Sequence, residues 1–302
     1  LAELEAAMSE GRAVQDLHLA RLLSLLEAPE GQPEQAALRS RIAELIEAGG
    51  FAEPGRERFV PTVGFTGTGG SGKSSLVDEF CRRVLDQAPG CRVAVISVDP
   101  SRRRTGGALL GDRIRMNSLG LHAGEVNQPL FMRSQATRQA HQATSQALAD
   151  SIALCRLSGF DLIIAETAGI GQSDSAITEL VDYSVYVMTP EYGAASQLEK
   201  IDMLDFADAV VLNKYEKRGA EDALREVAKQ VQRNRGQFHD DPATMPVFPC
   251  IASQFHDLGV NRVFNHVLDA LVARFDAAWA AQAKRLRAGD PERHQLIPSK
   301  AV

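Results

Sequence analysis

Several signatures are missing from this sequence, and each absence narrows what the chain does. The four cysteines, Cys81, Cys91, Cys155 and Cys250, form no C-x-x-C pair. Their scatter suggests neither a disulfide framework nor a zinc site, and they read as reduced, buried thiols of a cytosolic protein. No apolar run approaches the roughly 18 residues that a membrane span needs. The first 30 residues mix charge with leucine, unlike a signal peptide. There is no basic excess: 33 Lys+Arg face 39 Asp+Glu, a net charge of -6. That balance argues against a general nucleic-acid binder. No internal repeat is visible. What remains is 302 residues with 44% hydrophobic and 24% charged side chains, an ordinary globular composition. The length allows a large core, in one large domain or one domain with appendages. The chain opens on Leu1, which suggests a processed product or a piece of something longer.

Two helical patterns come first, from Leu1 to Leu26 and, after Pro29, Gly31 and Pro33, up to Gly49-Gly50. From Pro61 the texture changes to short β-branched runs alternating with amphipathic stretches. Strands are expected at Thr62–Thr66, Arg92–Val98, Phe160–Glu166, Ser184–Met188, Ala209–Leu212 and Val247–Cys250. Helices are expected over 72–87, 133–157, 174–182, 195–206, 219–235 and 260–287. This alternation predicts an α/β fold, a mostly parallel sheet with helices on both faces. The expected division is a helical segment over 1–58, a nucleotide-binding domain over 59–258, and a long C-terminal helix with a tail over 259–302.

The most specific signal is Gly67-Thr68-Gly69-Gly70-Ser71-Gly72-Lys73-Ser74, which satisfies G-x-x-x-x-G-K-[ST] between an expected strand and an expected helix. Its glycines let successive N–H groups converge on phosphate oxygens, and the helix that begins here, through Ser75, adds its positive end. Lys73 is the expected contact to the β- and γ-phosphates and Ser74 to Mg²⁺. Phe160–Gly169 then delivers Glu166 and Thr167 to a strand end, where Glu166 is a second metal-side oxygen donor. Capping a helix that begins near Ser173 is the competing role for Glu166. Gly169 is placed to bring an N–H near the γ-phosphate.

Val95–Pro100 ends a further strand at Asp99, and the glycine-rich, basic stretch 101–116 follows. There Asp112 is a candidate metal ligand and Arg115 a candidate phosphate contact, against the plainer reading of a solvated loop. Ala209–Glu216 is a strand ending in N-K-x-E. GTPases carry N-K-x-D here, the aspartate accepting two hydrogen bonds from guanine; Glu216 offers the same acceptors one methylene further out. Ala252, after the last strand, stands where a loop would touch the guanine oxygen. Gln172 is a candidate for orienting the attacking water.

Taken together, V-D-P-S, T-G-G-x-x-L-G-D-x-x-R-M, E-T-x-G-x-G-Q-S-[DE] and N-K resemble the G-protein chaperones of adenosylcobalamin-dependent acyl-CoA mutases. The P-loop and N-K-x-E are most similar to the G domains of fused isobutyryl-CoA mutases. The resemblance runs from about Phe59 to Phe275. It implies a SIMIBI-type P-loop G domain that hydrolyses GTP to GDP, gates cobalamin loading and protects the mutase from inactivation. Ser74, Asp99, Asp112 and Glu166 become the magnesium shell, and Asn213, Lys214 and Glu216 the base site. Glu191–Lys200 matches a loop that signals to the mutase. The implied partners are mutase domains in cis or trans, with a homodimer as the expected assembly and neither nucleic acid nor membrane bound. Adenosylcobalamin enters only through the mutase. The chain itself lacks D-x-H-x-x-G, since Asp16-Leu17-His18-Leu19-Ala20-Arg21 has no glycine.

Two other classes stay open on the residues alone. One is a different P-loop enzyme, a small-molecule kinase or a nickel-insertion GTPase, although the seven histidines are scattered. The other is an interaction module that uses nucleotide only to order a docking surface.

Overall fold

The computed structural model describes residues 2–10, 13–28, 31–49, 59–100, 116–120, 128–137, 141–167, 177–193, 198–199 and 201–287. Three helices open the chain: α1 (Ala2–Glu10), α2 (Asp16–Leu26) and α3 (Pro33–Gly49). The first expected helix is therefore broken. Val14 between α1 and α2 is buried and sends its N–H to the Ser158 carbonyl at 3.2 Å, a tertiary bond that replaces a helical one.

Strand β1 (Thr62–Gly67), helix α4 (Lys73–Gln87) and strand β2 (Val93–Pro100) follow, then β3 (Leu130–Thr137), α5 (His141–Leu157), β4 (Leu162–Thr167), β5 (Tyr183–Met188), α6 (Met203–Phe206), β6 (Ala209–Asn213), α7 (Ala220–Asn234), β7 (Val247–Cys250), α8 (Leu258–Phe275) and α9 (Ala278–Gln282). The strands form one seven-stranded sheet in the order β3-β2-β4-β1-β5-β6-β7. Every pairing is parallel, as the alternation predicted.

Helices cover both faces. On one, Leu76, Phe80 and Val84 of α4 and Val263, Phe264 and Val267 of α8 pack on Phe65, Val95 and Ile164. On the other, Leu19, Leu23, Leu38 and Ile42 of the N-terminal helices join Leu148 and Ile152 of α5 over Ile96, Ile163 and Ala165. A third cluster packs α7 residues Val227 and Val231 on Tyr186, Val210 and Leu212. Burying both faces explains why these strands read as apolar runs.

Two expected helices are corrected. Residues 133–137 belong to edge strand β3, paired with β2 from Val93↔Leu130 to Pro100↔Thr137, and the helix begins at His141. Leu130, Met132, Arg133 and Gln135 are good helix formers, but Leu130 and Met132 pack on one face of the sheet and Phe131 on the other, so tertiary pairing wins. The expected 260–287 helix stops at Asp276, which adopts the left-handed region at φ 51°. The chain then doubles back. Ala280 and Ala283 enter the core, and Asn265 of α8 holds Leu286 through both backbone bonds, at 2.8 and 2.9 Å. Of the expected 195–206 helix, Leu198 and α6 are helical, Ile201 and Asp202 are not, and 195–197 and Lys200 lie outside the described residues. Of the expected 174–182 helix, residues 177–180 form a short turn and 174–176 lie outside the described residues.

Candidate nucleotide site

The site is built at the carboxyl ends of β1, β4, β6 and β7. Residues 67–72 link β1 to α4. Gly67 has φ 141°, and a Cβ there would lie 1.9 Å from the Val187 carbonyl oxygen of β5, so no other residue fits. Gly72 begins α4 at φ 90°, and a Cβ would approach the Asn213 side-chain nitrogen to 2.4 Å. These two glycines hold a tight loop against neighbouring strands, while Gly69 and Gly70 are exposed.

Four side-chain bonds set the loop's shape. Lys73 is buried, and its ammonium donates to the Gly67 and Thr68 carbonyls at 2.9 and 3.1 Å. Lys214 donates to the Gly70 carbonyl at 2.7 Å, and Asn213 donates from Nδ2 to the Ser71 carbonyl at 2.7 Å. Carbonyls 67, 68, 70 and 71 are thus drawn toward donors, beside the start of α4, the end of a helix that carries partial positive charge. Two ammonium groups within one loop make an anion the complementary ligand. Among the described residues, the buried hydroxyls of Thr68 and Ser71 have no hydrogen-bond partner.

Ser74 donates to Glu166 Oε1 at 2.6 Å, and Glu166 is 3% exposed. A hydroxyl facing a buried carboxylate beside a phosphate-type loop is the hard-oxygen donor set that Mg²⁺ takes. Among the described residues no group of three His, Cys, Asp or Glu is gathered to hold a metal. One hydroxyl and one carboxylate completed by phosphate oxygens is the arrangement a P-loop site uses. Thr167 hydrogen-bonds Thr66 at 2.9 Å across β4 and β1. Asp99 is the last residue but one of β2, its backbone level with Ala136. Ser75 is exposed in the first turn of α4.

Asn213, 3% exposed, also accepts from the Ala252 N–H at 2.9 Å. One amide therefore joins the P-loop, the end of β6 and the loop after β7. The Tyr215 N–H reaches the Cys250 carbonyl at 3.1 Å, and Lys214 has φ 58°. Glu216 is exposed at the rim of this loop. Beside it, Lys217 pairs with Glu191 of the turn after β5, and that hydrogen bond holds the Glu191 carboxyl down to about 2. Asp112, Arg115, Gly169 and Gln172 lie outside the described residues, as do 194–197 and Lys200 of the Glu191–Lys200 segment.

A family model described as methylmalonyl-CoA mutase-associated GTPase MeaB matches residues 19–296. The chain belongs to this family. Among curated relatives, it is 52% identical over 252 residues to the fused isobutyryl-CoA mutase of Paraburkholderia xenovorans, covering 83% of this chain and 19% of that one. It is 47% identical over 282 residues to the fused isobutyryl-CoA mutase of Geobacillus kaustophilus, covering 92% and 24%. The MeaB-family chain thus spans about a fifth to a quarter of the length of these relatives. Among solved structures, a LAO/AO transport system kinase superposes with TM-score 0.61 at 22% identity, over 93% of this chain and 80% of that one. HypB from Helicobacter pylori, in complex with nickel, gives TM-score 0.50 at 14% identity, over 79% and 97%. Both likenesses speak to the P-loop NTPase fold.

Two features of the site were not read in the sequence. Nothing in N-K-x-E shows that Asn213 ties three loops together, because that depends on β1, β5, β6 and β7 following one another across the sheet. The Lys214 contact to the Gly70 carbonyl follows from the same strand order.

Proposed function

We propose that this chain is a Mg²⁺-dependent GTPase module that gates cobalamin loading into, and protects, an adenosylcobalamin-dependent acyl-CoA mutase. The mutase is attached in cis, as in the fused relatives, or bound in trans, and the module works as a homodimer in the cytoplasm. Cobalamin is held by the mutase and not by this chain. The observation that carries the reading is the Ser74–Glu166 pair at 2.6 Å beside a P-loop that Lys73, Lys214 and Asn213 brace.

In this reading the N–H groups of Gly69, Gly70, Ser71, Gly72, Lys73, Ser74 and Ser75 cradle the phosphates, with Arg115 and Gly169 as further contacts. Lys73 leaves its loop carbonyls for the β- and γ-phosphates, where it offsets charge that develops as water attacks. Ser74, Asp99, Asp112, Glu166 and Thr167 form the shell that would hold Mg²⁺, which would neutralise charge on the phosphates. Gln172 orients the water. Asn213, Lys214, Glu216 and Ala252 form the base pocket. Glu216 accepts from guanine and opposes the reversed polarity of adenine, which sets GTP above ATP.

Turnover of GTP by the full chain, titrated with Mg²⁺, tests this. Glu166→Ala is expected to weaken GTP binding with Mg²⁺ present and to leave binding in EDTA nearly unchanged. Equal losses in both conditions would make Glu166 a packing residue. Absence of GTP turnover by the unaltered protein, alone and with mutase added, would overturn the reading.

A further inference from the structure

Two neighbouring arginines in the third turn of α4 connect the phosphate helix to the loop that follows β7. Arg82 and Arg83 are each 3% exposed, and Glu79 accepts from both, at 2.9 and 2.5 Å. Each arginine then reaches out of the helix. The Arg82 guanidinium lies 4.7 Å from the centre of the Phe255 ring, and Arg83 Nε donates to Asn261 Oδ1 in the first turn of α8 at 2.7 Å.

Phe255 belongs to the loop between Cys250, the end of β7, and Leu258, the start of α8. Both ends of this loop are secured. Near its start, Ala252 donates its N–H to Asn213, the same amide that holds the Ser71 carbonyl of the P-loop. At its end, Asp257 accepts the Val260 N–H at 2.8 Å and caps α8. A Cβ at Gly259 would lie 1.9 Å from the Pro249 carbonyl oxygen, so strand and helix close tightly on each other. Between these ties the backbone is strained: His256 has φ 62°, a conformation that non-glycine residues rarely adopt and that persists only where neighbours hold it.

The charges explain why a ring is used there. Within the trio, one carboxylate shared by two guanidinium groups leaves a positive charge over, in a place where burying it is costly. The negative face of the Phe255 ring meets that charge. The ring itself stays 43% exposed, so the contact with Arg82 is what it offers beyond simple burial. The helix it is fastened to begins with Lys73 and Ser74.

We propose that Arg82 and Phe255 are positioning residues for base recognition: their contact holds the loop after β7 against the phosphate helix, so that the loop meets the base at a fixed distance from the phosphate site. This rests on the reading of Asn213 and Ala252 as part of a guanine pocket. Both residues act through the loop, and neither is assigned a contact with nucleotide.

The test uses the full chain with GDP, IDP and ADP, whose dissociation constants are measured alongside the melting temperature. IDP keeps the purine oxygen that this loop is expected to meet and lacks the amino group that Glu216 would accept from. Phe255→Ala is expected to weaken GDP and IDP alike, each about fivefold, the scale of one cation–π contact, and to change ADP by less than about twofold. Phe255→Tyr keeps the ring and should hold GDP within about twofold of the unaltered chain. Arg82→Met keeps an apolar stem, leaves Glu79 to Arg83, and should narrow the GDP-to-ADP ratio as Phe255→Ala does. Joining the two is expected to add nothing, since one acts through the other. A lowered melting temperature with an unchanged GDP-to-ADP ratio, additive losses in the double variant, or weakening of GDP without IDP would overturn the proposal. Should Arg82→Met fail to fold, Phe255→Ala and Phe255→Tyr decide alone, and equal ratios in those two proteins are fatal. If the unaltered chain binds GDP no better than ADP, the guanine reading falls and takes the proposal with it. If the unaltered chain and Phe255→Ala prefer GDP equally, the guanine reading stands and only the role of Arg82 and Phe255 is lost.

Discussion

At the amino edge of the sheet, three aspartates each stand one residue before a strand and close on the first N–H groups of a neighbouring strand. At the carboxyl edge, two lysines and an asparagine close on carbonyls of a single loop. Asp161 accepts from the Arg92 N–H at 2.8 Å, Asp182 from the Thr62 N–H at 2.8 Å, and Asp208 from the Ser184 N–H at 2.7 Å. Each also has an arginine. The Arg92 guanidinium acts on Asp161, Arg156 reaches Asp182 at 2.7 Å, and Arg274 reaches Asp208 at 2.6 Å. All three guanidinium groups lie over rings as well, Arg92 over Phe160 at 4.5 Å, Arg156 over Phe59 at 5.4 Å and Arg274 over Tyr183 at 5.0 Å. Burial pushes the Asp161 and Asp182 carboxyls up despite these partners, so the amino edge spends electrostatic energy on register. At the carboxyl edge the Lys73 and Lys214 hydrogen bonds go to uncharged carbonyls, which hold a cation less well than an anionic oxygen does. The amino edge is closed at three places by matched charge; the carboxyl edge keeps cations in reach of a ligand.

The sharpest way to break this contrast is to remove one residue from each edge. Lys73→Ala is expected to lower GTP turnover on the order of a hundredfold or more, the scale for losing one preorganised transition-state contact, with little change in melting temperature. A large fall in melting temperature would mean that Lys73 fastens the loop in the way the aspartates fasten the strands.

Asp182→Ala should do the reverse. It strands the Thr62 N–H and Arg156, whose side chain is 15% exposed. Breaking such a pair costs about 3 kcal/mol or more. The urea midpoint should fall accordingly, while GTP affinity of the folded fraction holds. Loss of affinity without loss of stability would show that the amino edge is wired to the site.

The same contrast explains what the sequence disclosed. The P-loop, Glu166 and N-K-x-E are dense local motifs, and the strands that carry them are apolar because both faces are covered, so the parallel sheet and its carboxyl edge were legible. Phe160-Asp161-Leu162, Val181-Asp182-Tyr183 and Ala207-Asp208-Ala209 repeat one device, an aspartate directly before a strand, yet it acquires meaning only once β4 lies beside β2, β5 beside β1 and β6 beside β5. Arg82 was silent for the same reason, since Phe255 is distant in sequence. Strand β3 was hidden because helix-forming side chains occupy an edge that only β2 makes a strand. The turn at Asp276 was hidden because alanines continue the helical pattern while folding back into the core.

The smallest expected effect sharpens the account of the amino edge. His266 of α8 packs tilted against Phe248, with ring centroids 4.9 Å apart, and edge-on against Tyr183 at 6.4 Å. Burial lowers its pKa; Arg235 and Arg274 push the same way, against Asp269 and Asp208. The neutral ring is therefore the form the fold prefers. A depressed value contributes stability that is complete above the unfolded pKa of 6.5 and is lost as pH falls through the folded value. His266→Phe retains the ring contacts and removes the titration. Between about pH 7.5 and about pH 5.5, the unaltered chain should lose more of its urea midpoint than the variant does. The gap should be small beside that of Asp182→Ala, because the ring is only half-buried and its charged form is partly solvated. Equal losses in the two proteins would mean that Asp269 and Asp208 compensate the protonated ring fully. The amino edge would then absorb a new positive charge as readily as the carboxyl edge is built to release one.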